Sequence, residues 1–528
     1  MYKVLVADKL APEGLEILRA GNGFEVEIAN GLDPEEFVRR IPPFHGLIVR
    51  SGSTVTADVI AAAENLRVIG RAGIGVDNID VPAATARGIV VMNTPSGNNV
   101  TTAEHAISMM LSLARSIPQA TASMKAGRWD KGKFVGSEVF KKTLGVVGLG
   151  NIGRLVAERG LGLKMNVIAY DPFLTAELAA KLGVDLVTLD ELYARADFIT
   201  IHVPLLPETR GLIGRDAFAK MKKGVRLVNC ARGGIVDELA LADALREGRI
   251  AGAALDVFEK EPPPADHPLL GMDQVICTPH LGAATGEAQL NVAIAIARQV
   301  VNYLDGEVIQ DAVNVPSISP EQRKALRPYL TLCEKLGSFQ GQVLEGAPRE
   351  VSIEYAGEVA SLDNKPLTVA VLYGLLTPIA ASSVNYVNAP AIARERGIKV
   401  VESSTTNSKT FSNHVTVRVT TDAGVSVVSG AIFGQDIIRL VRINDFFVDS
   451  QPEGYILLLH NRDVPGVVGS VGVLLAEASV NIARLELGRD EVGGNAVSLI
   501  HVDDAIPDAV MARLRTLPNI VSADLVRL

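Results

Sequence analysis

Three side chains with useful chemistry, Arg232, Glu261 and His280, each follow a short apolar run in the middle of this chain. Arg232 lies in Asn229-Cys-Ala-Arg-Gly-Gly, Glu261 in Asp256-Val-Phe-Glu-Lys-Glu-Pro, and His280 in Cys277-Thr-Pro-His-Leu-Gly. If the runs are neighbouring strands of an open α/β sheet, all three residues reach one crevice, because ligands sit outside the carboxyl ends of such strands. Their types suit the oxidation of a hydroxy acid. An imidazole can take the hydroxyl proton near neutral pH. A carboxylate beside it orients the ring and favours its charged form. A guanidinium can grip a carboxylate with two parallel hydrogen bonds and polarise the carbonyl as it forms. Singly, each residue type is more often an ordinary loop residue. Their joint placement after successive strands carries the reading.

Such an oxidation needs a hydride acceptor, and the segment before these residues supplies a place for one. Thr143 to Val147 reads as a buried strand, and Gly148, Gly150 and Gly153 form G-x-G-x-x-G. A helix and a second strand follow, ending in Asp171. Gly148 allows the tight turn, Gly150 lets a pyrophosphate approach, and Gly153 lets helix and strand pack closely. The helix start offers free N–H groups to phosphates. Asp171 can accept hydrogen bonds from a ribose and would repel a 2′-phosphate, so the expected cofactor is NAD rather than NADP.

The surrounding elements alternate strand and helix. Residues 1–97 read as an α/β substrate-binding domain, 98–285 as the nucleotide-binding domain inserted into it, and 286–314 as a return segment. Thr101-x-x-Glu104 reads as a capping box opening a helix that runs to about Arg115. Asn314 to Pro320 reads as a linker. Residues 315–452 mix two helices with β-rich runs, giving an α+β intervening domain. Residues 453–528 read βαββαβ, the ferredoxin-like plan. The expected fold class is therefore α/β, with a Rossmann-type doubly wound NAD domain inserted in a flavodoxin-like domain and followed by α+β and ferredoxin-like domains.

Bulk properties narrow the function. With 528 residues, several domains are required. The net charge of −9 argues against a nucleic-acid binder. The three cysteines, Cys230, Cys277 and Cys333, form no C-x-x-C, so no metal site is expected and a reducing cytoplasm fits. The uncharged run Leu367 to Val384 contains Gly374, Pro378 and several hydroxyl residues, which favours a buried element over a membrane anchor.

The motifs GLGNIG, HVPLLPETRGLI, NCARGGIVDE, LDVFEKEP and TPHLGA resemble those of the D-isomer-specific 2-hydroxyacid dehydrogenases. The resemblance extends over the whole chain to the long forms of that family, which carry an intervening domain and a C-terminal ACT domain. It implies NAD-dependent oxidation of 3-phosphoglycerate, with Arg232, Glu261 and His280 as the catalytic trio. It implies cofactor contacts at Gly148, Gly150, Asn151, Ile152, Gly153, Asp171, Val203, Thr209, Cys230, Ala231, Arg232, Asp256, His280, Gly282 and Ala283. It implies substrate contacts at Arg50, Ser51, Gly52, Arg71, Gly73, Asn98, Arg232 and His280. In the ACT domain, Asn461, Asp463 and Asn481 fall on positions that bind an L-serine effector. A homodimer or homotetramer is also implied, with Trp129 at a subunit contact. Two other readings share the core: a reductase of hydroxypyruvate or glyoxylate, and an NAD-sensing binding protein.

Overall fold

The structure is a computed structural model. It describes residues 1–528 apart from 22, 307, 308, 317, 319, 381, 382, 408–410, 412 and 435, and the side chains of 320, 321 and 323. Parts of the expected linker (317 and 319) and of the uncharged run (381 and 382) thus lie outside the described residues.

The first sheet is parallel, in the order Phe24–Ile28, Tyr2–Val6, Gly46–Val49, Val68–Arg71, Val90–Met92. This 2-1-3-4-5 order is the flavodoxin-like one. Its inner strands are buried along nearly their full length, which is why they read as unbroken apolar runs rather than alternating ones. The helix Gly286–Gly306 returns to this sheet and buries Val292, Ala293, Ile296 and Val300 in the same core as Val4, Ile48 and Val68.

The second sheet has seven parallel strands. Its order is Val275–Cys277, Ile250–Leu255, Val225–Asn229, Phe198–Ile201, Thr143–Val147, Asn166–Tyr170, Asp185–Leu186. Strand order reverses between Thr143–Val147 and Phe198–Ile201, and that reversal opens the crevice in which dinucleotides sit. The helix Asn99–Arg115 packs Ala103, Ala106, Met110 and Leu113 onto this domain.

Thr101 does not cap that helix. The cap is Asn98, one turn earlier than the S/T-x-x-E pattern suggests, and Thr101 instead meets the Thr285 hydroxyl at 3.3 Å. Glu104 pairs with Arg159 at 2.9 Å on the nucleotide domain, so tertiary contacts claim both side chains of the motif. The pattern is satisfied as a true capping box at Thr188 and Glu191.

The intervening region forms a six-stranded mixed sheet, Lys399–Thr405, Pro348–Gly357, Asn413–Thr421, Val425–Phe433, Ile437–Ile443, Phe446–Ser450. The uncharged run becomes the helix Lys365–Leu376, buried on nearly every side. It lies against the helix Pro320–Val343, where Gly374 faces the Glu334 backbone and Gly337 the Val371 backbone. Among the described residues no helix is long and apolar enough to cross a membrane. The last sheet orders Ile482–Arg489, Asn495–Val502, Tyr455–Arg462, Ile520–Arg527, antiparallel throughout, as the βαββαβ plan requires.

Candidate active site

The glycine loop behaves as its spacing suggests. Gly148 has φ +92°, a conformation that side chains disfavour. A Cβ on Gly153 would strike the Gly148 carbonyl oxygen, whereas a Cβ on Gly150 would meet nothing within 4 Å. The helix Asn151–Gly162 begins there with no side-chain cap, leaving its first N–H groups for a ligand. Asn151 is exposed at the first turn, and Ile152 packs beneath it. Asp171 accepts from Leu149 N (2.8 Å) and from Phe173 N (2.9 Å), so it ties the second strand to the glycine loop. An ionised carboxylate has about four acceptor sites, so two remain for ribose hydroxyls. These features fit a dinucleotide.

The contrast between the two glycines gives a test. Gly150→Ala should leave the melting temperature unchanged but raise the KM for NAD by about tenfold or more, since its methyl group stands in the space kept for phosphate. Gly153→Ala should instead lower stability by roughly 1–3 kcal/mol, the usual range for overpacking. Thermal melts and NAD titrations of the two variants check both.

His280 and Glu261 meet, and the Arg232 loop runs alongside, with Gly233 packed on the Phe258 carbonyl. His280 Nδ1 lies 2.7 Å from Glu261 Oε2, and Glu261 Oε1 accepts from Phe258 N at 3.1 Å. Burial pushes the Glu261 carboxyl up, but its bonds from His280 and Phe258 outweigh this and hold it below the usual range. His280 has φ +53°, in the left-handed region, a strain of the kind that persists where surrounding contacts impose it. Those contacts come from Asp256. Its carbonyl accepts from His280 N at 2.9 Å, and its carboxylate accepts from Leu281 N (2.7 Å), Gly282 N (2.8 Å) and the Thr278 hydroxyl (2.6 Å).

His105 completes this support, with Nε2 3.2 Å from both Asp256 Oδ1 and Thr278 Oγ1. Burial opposes ionisation of Asp256, yet the bonds from His105, Thr278 and Leu281 keep its pKa low. Cys230 stands beside this group, and candidate ligand atoms of His105, Cys230 and Asp256 lie within 4.8 Å of one another. With the Asp256 oxygens shared among four donors and the Cys230 thiol pushed well up by burial, the cluster serves as a hydrogen-bonded brace for the loop. Ala283 follows that loop, half-buried.

Arg232 projects toward the first domain, where its Nε meets Asp77 Oδ2 at 2.8 Å. Its loop is fixed by Asn229, whose side chain donates to Arg232 O (2.9 Å) and accepts from Ala231 N (3.0 Å). A Cβ on Gly75 would overlap the Arg232 guanidinium, so that glycine makes its room. Arg71 lies nearby. Burial, and then Arg232 beside it, bring its pKa down to about 10, so it remains a cation at neutral pH. Its Nε has no partner, nor do the buried Thr94 hydroxyl and Asn98 Oδ1. Gly73, at φ +145°, carries the turn around the Arg71 side chain. Asp8 accepts from Arg50 N (2.6 Å) and Ser53 N (3.1 Å), and so shapes the loop that presents Arg50, Ser51 and Gly52.

Val203 packs its side chain against Gly148. The Thr209 hydroxyl closes its own turn, donating to Pro204 O and accepting from Leu206 N. Asp8, Asp77, His105, Asn229 and Thr278 escaped the sequence reading. In the last domain the three effector candidates have separate partners. Asn461 is buried and accepts from Ser498 (3.0 Å), Asp463 pairs with Arg489 (3.0 Å), and Asn481 donates to Asp503 (2.8 Å).

A doubly wound parallel sheet, an open glycine loop at its switch point and an Arg–Glu–His set on neighbouring strand ends define an NAD-dependent dehydrogenase acting on CH–OH groups. Residues 107–282 match the NAD-binding domain of the D-isomer specific 2-hydroxyacid dehydrogenases. Residues 325–444 match the D-3-phosphoglycerate dehydrogenase intervening domain, and 455–519 the ACT domain. The D-3-phosphoglycerate dehydrogenase of Archaeoglobus fulgidus is 46% identical over 528 residues, covering 100% of both chains. That of Bacillus subtilis is 42% identical, again over 100% of both. Among solved structures, a glyoxylate reductase from Paecilomyes thermophila aligns at TM-score 0.55 and 31% identity over 61% of this chain and 99% of its own. A Staphylococcus aureus formate dehydrogenase in complex with NAD aligns at TM-score 0.54 and 32% identity over 60% of this chain and 100% of its own. The chain belongs to the D-3-phosphoglycerate dehydrogenase family.

Proposed function

We propose that this protein oxidises the C2 hydroxyl of 3-phospho-D-glycerate to give 3-phosphohydroxypyruvate, the first step of L-serine biosynthesis, with NAD as oxidant. The observation that carries this reading is the full-length likeness to relatives of that name. The gathering of Arg71 with Arg232 and Arg50 supports it. A substrate with a carboxylate and a phosphate needs several cations, and these arginines supply them. Arg232 grips the carboxylate and stabilises the developing carbonyl, while Arg50, Arg71 and Asn98 face the rest of the acid. His280 takes the hydroxyl proton, and Glu261 stabilises the imidazolium that results. NAD, when bound, supplies the hydride acceptor, with Gly148 to Gly153 and Asp171 holding it.

The reductase reading rests on neighbours that cover only about three-fifths of the chain, such as the glyoxylate reductase at 61%. The intervening and ACT domains favour the phosphoglycerate reading. Within the ACT domain, Asn461, Asp463 and Asn481 are the residues we assign to an L-serine effector. We also assign the protein to the cytoplasm, and to a homodimer or homotetramer. Trp129 (79% exposed) and Val135 (85%) support pairing of the nucleotide domains.

Production of NADH from 3-phosphoglycerate, with and without millimolar L-serine, tests the reading. The expected result is turnover that serine suppresses, with the suppression lost in Asn481→Ala. Turnover unaffected by serine removes the effector assignment alone. Consumption of NADH with glyoxylate or hydroxypyruvate, and no reaction of 3-phosphoglycerate, overturns the substrate.

A further inference from the structure

The motif that carries Arg232 runs from Asn229 to Glu238 and ends on a carboxylate with no part in the chemistry described so far. Glu238 opens the helix Glu238–Arg246, whose cap is the Asp237 side chain, accepting from Ala240 N at 2.9 Å. With capping done by Asp237, the Glu238 carboxylate turns to a neighbouring loop and holds it at two points. Oε1 accepts from Glu259 N at 2.7 Å, and Oε2 meets His267 Nε2 at 2.9 Å. His267 Nδ1 accepts from Leu269 N at 3.4 Å, so the ring proton sits on Nε2 and is donated to Glu238. Both side chains are only 12% exposed, so water competes little for the pair.

The loop pinned in this way, residues 259–267, contains Glu261. Glu261 Oε1 accepts from Phe258 N, one residue before the first pinned amide. The Phe258 ring lies edge-on to the His267 ring, with centres 5.6 Å apart and planes at 80°. A Cβ on Gly233 would strike the Phe258 carbonyl, so the Arg232 loop rests on the same segment. One carboxylate therefore bears on Glu261, on the amide that donates to it and on the loop beside it.

We propose that Glu238 and His267 are positioning residues for the oxidation, acting on His280 through Glu261 without touching substrate or cofactor. This rests on the roles assigned above to Glu261 and His280. Catalytic groups must be held within about 0.5 Å by a supporting shell of hydrogen bonds, and a misplacement of about 1 Å can cost about 10²-fold.

Steady-state kinetics with 3-phosphoglycerate and NAD test this, with kcat expressed per NAD site counted by calorimetry. A smaller folded fraction lowers the number of sites but leaves kcat per site unchanged. His267→Phe keeps a ring against Phe258 and removes the donor. It should lower kcat per site about tenfold or more, with KM for NAD within about twofold of wild type. His267→Gln, whose amide nitrogen can replace Nε2 as donor, should recover most of the loss. Glu238→Gln should lose as much as His267→Phe, because its amide NH2 cannot accept the imidazole proton, and it decides the matter if His267→Phe fails to fold. Amide hydrogen exchange over residues 258–261 should quicken about tenfold in these two variants and stay near wild type in His267→Gln. Wild-type kcat per site in His267→Phe or Glu238→Gln, unchanged exchange in them, or a His267→Gln as impaired as His267→Phe would each overturn the proposal. A wild type that does not turn over 3-phosphoglycerate would sink the substrate reading alone, and the exchange comparison would still decide the clamp.

Discussion

Replacing His280 with alanine is expected to lower kcat for hydroxy-acid oxidation by about 10²- to 10⁴-fold, the usual contribution of a positioned base, and to leave NAD affinity close to wild type. The geometry gives the reason. Nδ1 is committed to Glu261 at 2.7 Å, which leaves Nε2 as the ring atom free to face the substrate hydroxyl. Because the backbone at His280 is left-handed, His280→Asn is the better control for folding, since asparagine tolerates that conformation well. Both variants should lose turnover alike. A kcat within tenfold of wild type in either would remove His280 from the role of base.

Glu261→Gln tests the support that the carboxylate gives the ring. Burial pushes the Glu261 carboxyl up, but its bonds from His280 and Phe258 hold it below the usual range, so it is ionised at neutral pH. Maximal turnover should fall, because the imidazolium formed during reaction loses its counter-charge. The linked stability term has the opposite direction to that of a raised histidine. A depressed carboxyl stabilises the fold above its unfolded pKa and loses that contribution as pH falls through the folded value.

Arg232→Ala should lower kcat/KM for the acid by about 10²- to 10³-fold, comparable to removing one donor to a developing oxyanion. Arg232→Lys should recover little of this. A lysine offers a point charge, whereas Arg232 uses Nε on Asp77 and leaves other donors of the same rigid fork for the substrate. Steady-state kinetics with separate kcat and KM values check this. A loss confined to KM in both variants would reduce Arg232 to an anchor of the ground state.

Much of this site was legible before the structure because the chemistry sits at strand ends in consecutive units. The glycine loop, Asp171, Arg232, Glu261 and His280 each follow a short, mostly apolar strand, and the parallel topology aligns those strand ends. Partners acting across sequence were not legible. Asp77 meets Arg232 across 155 positions, and Asp8 works through backbone amides of a loop more than forty residues on. Neither relation leaves a local pattern. Lys399–Thr405 is an edge strand of mostly exposed residues, so it shows no alternation of apolar and polar positions. Lys365–Leu376 is buried nearly all round and lacks the one-sided stripe that marks a surface helix. Thr101 and Glu104 have the right spacing for a cap but are drawn into contacts with Thr285 and Arg159, which no local rule anticipates.

The return of the helix Gly286–Gly306 to the first sheet also imposes an order on synthesis. The final strand of the nucleotide domain, Val275–Cys277, leaves the ribosome before that helix emerges. The inner domain therefore has all its strands while the outer one, begun some 280 residues earlier, still lacks the cover for Val4, Ile48 and Val68. For that interval the nascent chain presents a bare apolar sheet face, the kind of surface on which chaperones act and partly made chains aggregate. A message truncated within the nucleotide domain would leave that face exposed for good.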